Sequence, residues 1–224
     1  MYRIAMVLML LSGVATTTAQ AADVKIDKQK FSYTVGVQVG QSLAREKDNI
    51  DVSVLMQAIQ DVMKDSKLKL TPEEMQTVMN KFRDDQRKKM ESMASANKKA
   101  GEEYLVKNKQ NKDVTTTASG LQYKVLKKGA GKQPKETDTV SVHYKGTLTN
   151  GKEFDSSYGR GQPTEFPVNG VIKGWGEALQ LMHEGDKWSI VVPSDLAYGP
   201  NGAPGSPIGP NETLVFEVEL LTVK

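Results

Sequence analysis

Two periodicities divide the chain. From Lys25 to about Asn111 there is a single proline, glycine occurs only at Gly36, Gly40 and Gly101, and apolar residues recur at helical spacing. Phe31, Val35, Val39 and Leu43 predict a first helix over Asp27 to Lys47. Asp51 is a fitting N-cap for a second, with Val54, Leu55, Ala58, Ile59 and Val62 along one stripe. Thr71-Pro72-Glu73-Glu74 is a clear helix start: a Thr cap, Pro at the first position and Glu completing a capping box. Met75, Val78, Met79 and Phe82 follow on one face.

Past Phe82 the pattern changes. Arg83 to Lys89 is almost wholly charged, and no strong breaker intervenes before about Asn108. A helix from Pro72 to Asn108 would be on the order of 55 Å long at ~1.5 Å per residue. With so little to bury, it is stabilised by charge pairs and reads as a rigid spacer; the alternative is a solvated helix lying along the next domain. The preceding helices carry too few apolar residues for a monomeric core. Methionines at 56, 63, 75 and 79 add adaptable apolar surface, and Gly36 and Gly40 have the spacing that permits close helix approach. Self-association through this segment is the expectation.

From Asn111 to Ser119 the chain is polar and threonine-rich, a linker. Alternation then replaces helical spacing. Strands are predicted over Leu121 to Leu126, Val140 to Lys145, Lys187 to Val192 and Thr213 to Val223, with Asn150-Gly151 as a hairpin turn. Trp175 to Met182 is one short helix, stopped by Gly185. The fold class is α+β: an N-terminal all-α dimerisation arm with a long spacer helix, then an antiparallel β-sheet wrapped on one short helix.

Composition changes the picture mainly by exclusion. Thirty basic against 27 acidic residues among 224 give +3, too mild to argue for a nucleic-acid partner. With no cysteine there are no disulfides, thiolate nucleophiles or Cys-ligated zinc. Arg3, the apolar run Ile4 to Leu11 and Ala19-Gln20-Ala21 read as a cleaved signal peptide, too short to span a membrane. A membrane anchor or a buried helix is the alternative. The expected organisation is a signal peptide over 1–21, a helical dimerisation domain and spacer over 22–110, a linker over 111–119 and a β domain over 120–224. The expected compartment is a bacterial periplasm, with outer-membrane association or secretion as variants.

The β half holds no obvious reaction centre. His143 alternates with Val142 and Tyr144 and is expected to face solvent, and His183 sits near a helix end, where a cation is favourable. No serine lies in a nucleophile elbow, and neither a phosphate loop nor a metal cluster is visible. What is abundant is aromatic residues near strand ends and loops: Tyr144, Phe154, Phe166, Trp175, Tyr198 and Phe216. By pattern alone each reads as core.

Five segments change that reading: Val142-His143-Tyr144-Lys145-Gly146, Phe154-Asp155-Ser156-Ser157, Val171-Ile172-Lys173-Gly174-Trp175, Ala197-Tyr198-Gly199 and Leu214 to Leu220. In this order, across Gly120 to Lys224, they resemble the FKBP family of peptidyl-prolyl cis–trans isomerases. The helical half is similar in plan to the bacterial macrophage infectivity potentiator branch, whose members dimerise through N-terminal helices. The resemblance implies catalytic roles for Asp155, Tyr198, Phe154 and Ile172. It implies a pocket of Tyr144, Val171, Ile208 and Phe216 floored by Trp175, with Arg160 supporting Asp155. No cofactor and no metal are implied; the partners are proline-containing polypeptides, a second copy of the chain and macrolide inhibitors. Two departures stand out. Thr164 replaces an aromatic usual in eukaryotic members, and the loop Pro200 to Asn211 is one residue longer.

Rotation about an X–Pro bond has a barrier of ~18–20 kcal/mol because amide resonance must be broken. A dry aromatic pocket removes the better solvation of the planar amide and needs no nucleophile. Trp175 would hold the proline ring, the Tyr198 hydroxyl and the Ile172 N–H the peptide carbonyls, and Asp155 would sit near the rotating carbonyl carbon. The expected function is folding assistance to exported proline-containing proteins. The alternative is a holdase chaperone or host-protein binder using the cleft between two arms.

Overall fold

The computed structural model describes residues 26–224, so the leader read over 1–21 lies outside the described residues. Two compact units result, one ending at Thr71 and the other running from Pro72 to Lys224.

In the first unit, α1 (Lys28–Leu43) starts on Asp27, whose carboxylate accepts from the N–H groups of Gln29 and Lys30. Such a cap stabilises a helix by about 1 kcal/mol. The helix ends earlier than the sequence predicts, because Ala44–Asn49 tightens into a 3-10 segment. Asp51 caps α2 (Val52–Met63) through the N–H groups of Ser53 and Val54. Neither helix buries a residue, and Phe31, Val54 and Val62 stay more than half exposed. The two apolar stripes instead line a groove of about 760 Å³, reaching from Phe31, Val35, Gly36, Val39 and Gly40 to Leu55, Met56, Ile59 and Met63. A Cβ added at Gly36 or Gly40 would meet nothing within 4 Å.

The second unit opens with α3 (Pro72–Lys109), 38 residues with Glu73 and Glu74 in the first turn and Lys107 and Lys109 in the last, both favourable to the helix dipole. Arg87 bridges Asp84 and Glu91 along its exposed face. Its final turns are no free spacer. Gly101 is buried against Thr213, and the side chain of Gln122, itself 4% exposed, donates to the Leu105 carbonyl at 3.0 Å and accepts from Asn108 at 2.8 Å. The helix thus combines both readings, a solvated stretch followed by a stretch lying along the sheet domain.

The sheet is antiparallel, with seven strands: β1 (Thr115–Thr116), β2 (Gln122–Lys127), β3 (Thr139–Leu148), β4 (Glu153–Ser156), β5 (Thr164–Pro167), β6 (Lys187–Val192) and β7 (Leu214–Val223). Their order is β1-β2-β6-β7-β3-β4, with β5 also paired to β3. β1 lies inside the segment read as linker, where Thr115 pairs with Tyr123. β4 and β5 are too short to show alternation; β5 takes the first half of β3 and β4 the second. The long β3–β7 ladder runs from Val140↔Val223 to Leu148↔Leu214. On it Val140, Val142, Tyr144 and Leu148 alternate inward and meet Leu214, Phe216, Val218 and Leu220 in one core. The helix α4 (Lys173–Leu181) completes that core with Trp175, Ala178 and Leu179. Among the described residues no helix is long and apolar enough to cross a membrane.

Candidate functional site

Where α4 meets the sheet, the core is open to solvent. A cavity of about 470 Å³ is lined by Tyr144, Phe154, Asp155, Phe166, Gly170, Val171, Ile172, Trp175, Tyr198 and Phe216. Each element contributes a little. β3 supplies Tyr144, β4 supplies Phe154 and Asp155, and β5 supplies Phe166. The turn before α4 brings Val171 and Ile172, α4 brings Trp175, the loop after β6 brings Tyr198, and β7 brings Phe216.

Trp175, 4% exposed, organises the rings. The rings of Tyr144, Phe166 and Phe216 stand nearly perpendicular to it, with centroids at 5.3, 5.8 and 5.2 Å. Phe154 meets Phe216 edge-on at 5.5 Å. These T-shaped contacts favour one ring's positive edge against another's face. They depend on Gly146, because a Cβ there would lie 2.6 Å from the Phe154 ring and 2.9 Å from Phe216.

One charged cluster interrupts the apolar wall. Asp155 Oδ2 accepts from the Tyr144 hydroxyl at 2.5 Å, and Oδ1 accepts from Arg160 Nη1 at 2.6 Å. Arg160 Nη2 also donates to the Tyr144 oxygen at 2.8 Å and to Thr164 Oγ1 at 3.3 Å. Burial acts to raise the Asp155 carboxyl, but the hydrogen bonds from Tyr144 and Arg160, with the guanidinium charge, outweigh it and hold the group below the usual carboxylate range. Burial, then the bond to Asp155, pushes the Tyr144 phenol up. Tyr198 is 43% exposed. Among the described residues, neither its hydroxyl nor the Ile172 N–H has a protein partner, so both donors are free for a peptide carbonyl.

Nine residues of the expected set meet here: Tyr144, Phe154, Asp155, Val171, Ile172, Trp175, Tyr198 and Phe216 on the cavity wall, and Arg160 behind Asp155. Ile208 does not. The loop folds it inward, its carbonyl accepting from the Ala203 N–H at 3.0 Å, and it packs in the core at 6% exposure. Phe166 and Gly170 line the cavity although sequence reasoning left them out of the pocket. Phe166 stands out in the sequence as one of the aromatics, but its strand does not. Thr164 lies off the wall and serves Arg160 instead. His143 is half-buried rather than facing solvent: Nδ1 lies 3.0 Å from Ser157 Oγ, and the ring stacks on Tyr158 at 4.8 Å. Among the described residues no group of three His, Cys, Asp or Glu side chains could hold a metal ion.

Comparison with known proteins bears on both units. The family model described as FKBP-type peptidyl-prolyl cis-trans isomerase matches residues 130–221. The model described as the domain amino-terminal to FKBP-type peptidyl-prolyl isomerase matches residues 28–125. The outer membrane protein MIP of Legionella longbeachae is 42% identical over 222 residues, covering 96% of this chain and 95% of that protein. The probable FKBP-type peptidyl-prolyl cis-trans isomerase FkpA of Neisseria meningitidis is 45% identical over 202 residues, covering 87% of this chain and 74% of that one. The crystal structure of FkpA from Escherichia coli matches at 42% identity and a TM-score of 0.65, covering 89% of this chain and 98% of that one.

Proposed function

The chain belongs to the FKBP-type peptidyl-prolyl cis-trans isomerases, and from that membership we propose how its pocket works, on what, and in what assembly. The observation that carries the mechanism is the Trp175 box, an apolar wall whose single carboxylate is already paired. It offers burial to a proline ring and nothing to attack a carbonyl. The proline packs on Trp175, with apolar residues on either side against Phe154 and Phe216. Entering this site strips water from the X–Pro amide. The planar amide, with the larger dipole, loses more solvation than the twisted one, so the barrier of ~18–20 kcal/mol falls. The Ile172 N–H and the Tyr198 hydroxyl hold the flanking carbonyls, so the peptide is fixed while one bond turns. Asp155, held ionised by Tyr144 and Arg160, faces the carbonyl carbon as its charge changes. Every 1.4 kcal/mol removed is about tenfold in rate.

The substrates are proline-containing polypeptides exported to the periplasm. Support comes from the A-x-A leader pattern and from a relative that bears the name of an outer membrane protein. The assembly is a homodimer through α1 and α2. Its support is that two apolar stripes with no buried residue line one open groove, with Gly36 and Gly40 leaving room for a second chain's helix. The exposed Met56, Met63 and Met79 favour a second reading, in which the arms also hold unfolded clients.

The mechanism is tested by turnover of a Phe-Pro peptide. No proton is transferred, so the solvent deuterium isotope effect on kcat/KM is expected at about one, and Asp155→Ala is expected to lose activity several-fold with only a small drop in Tm from the lost pairing with Tyr144 and Arg160. An isotope effect of two or more, or an unaltered rate in Asp155→Ala, contradicts it.

A further inference from the structure

We infer that Asn97 and Gly101 of α3 are positioning residues for the isomerase site, clamping the base of the loop that presents Tyr198. The inference rests on the proposed role of the Tyr198 hydroxyl as a carbonyl donor.

Tyr198 lies in the long connection from β6 to β7. Half-exposed, its hydroxyl meets no protein group among the described residues, so the backbone that carries it decides where that hydroxyl points. That backbone is tied to the far end of the loop by the bond from the Asn211 N–H to the Gly199 carbonyl at 2.9 Å, a carbonyl that also accepts from the Gly202 N–H at 3.3 Å. Asn211 sits at φ +55°, a left-handed conformation that asparagine tolerates better than most residues but that still needs support. The support comes from α3. Asn97 Nδ2 donates to the Pro210 carbonyl at 2.9 Å, and Asn211 Nδ2 reaches the Ala94 carbonyl at 3.4 Å. Pro210 has no N–H, so its carbonyl is the only polar backbone handle at that position.

Gly101 sets the distance. A Cβ on it would fall 2.3 Å from Thr213 Oγ1 and 3.0 Å from Thr213 Cβ. Glycine is a poor helix former, and α3 carries it mid-helix where any larger residue would push the helix off the loop base. Ala94, Asn97 and Gly101, three and then four residues apart, share one helix face, and they meet Asn211, Pro210 and Thr213 respectively. From Asn97 to Tyr198 the path is one side-chain bond to the Pro210–Asn211 peptide, one backbone bond to Gly199, and one peptide. A shift of the loop base moves the donor, and misplacement on the order of 1 Å costs heavily in a positioned reaction.

The test uses the full chain. Asn97→Asp keeps the size of the side chain and removes the donor; Gly101→Ala improves helix propensity while blocking the approach; Asn97→Ala serves if either fails to fold. Two quantities are read: hydrogen exchange at the Asn211 N–H, and kcat/KM on a Phe-Pro peptide, each with Tyr198 and with Tyr198→Phe. The expected result is exchange at least about tenfold faster, with kcat/KM reduced roughly fivefold when Tyr198 is present and within about twofold of the parent when it is Phe. Unchanged Asn211 exchange, or the same fold-loss in both backgrounds, overturns the clamp. Full activity in Tyr198→Phe alone contradicts the donor role instead, and the clamp is then judged on Asn211 exchange.

Discussion

The Tyr144 hydroxyl donates to Asp155 Oδ2 across the β3–β4 pair while Arg160 holds the other oxygen, so the one carboxylate in an aromatic pocket is fixed and kept charged. The folded-state carboxyl lies below its ordinary value of 3.8. The ionised form therefore favours the folded state above the unfolded value, and that contribution disappears only as pH falls through the lowered one. Tyr144 shifts upward from 10.0 and stays protonated, keeping its role as donor. The kcat/KM profile should be flat from about pH 5 to pH 8 and decline only below about pH 4. A titration midpoint between 5 and 8 would show that another group governs the site.

At Gly146 one added methyl group would strike two rings of the pocket at once. Alanine there must displace Phe154 and Phe216 together, an overpacking cost of about 1–3 kcal/mol. For a unit of this size that corresponds to a Tm lower by roughly 5 °C. Peptide affinity should fall as well, because both rings line the cavity. Val142→Ala, a cavity on the same strand that removes no side chain of the pocket wall, should lower Tm while leaving the affinity largely intact. Calorimetry paired with peptide titration checks both.

Legibility followed the number of residues that cooperate in each signal. The cap at Asp51, the start of α3 and the alternation of β3 and β7 involve several residues each, and all appear where the pattern places them. β4 and β5, four residues each, have too few positions for a period to show, which is why Phe166 reads as an aromatic without a place. Gly101 in a charged helix announces no partner, since only the fold brings Thr213 to it. The inward packing of Ile208 comes with the fold of its own loop and leaves no trace in spacing. The pocket itself is hidden by its chemistry: aromatic rings that bind proline are the same residues that fill a core.

The arm makes a separate prediction. If a second copy covers the α1–α2 groove, removing residues 27–47 deletes one of its two walls. Sedimentation should then give the monomer mass for the truncated chain and the dimer mass for the parent. Isomerase turnover of a short peptide should be preserved, because every residue lining the catalytic cavity lies in the other unit. A truncated chain that still sediments as a dimer would move the interface elsewhere.

The most direct test of the central claim is exchange spectroscopy on a Phe-Pro peptide, with and without a macrolide inhibitor proposed to compete for the Trp175 pocket. Catalytic amounts of the protein should bring cis–trans exchange from tens of seconds into the sub-second range, and one equivalent of inhibitor per chain should restore the uncatalysed rate. Exchange that is not accelerated, or acceleration that survives a full equivalent of inhibitor, would contradict the assignment of catalysis to this pocket.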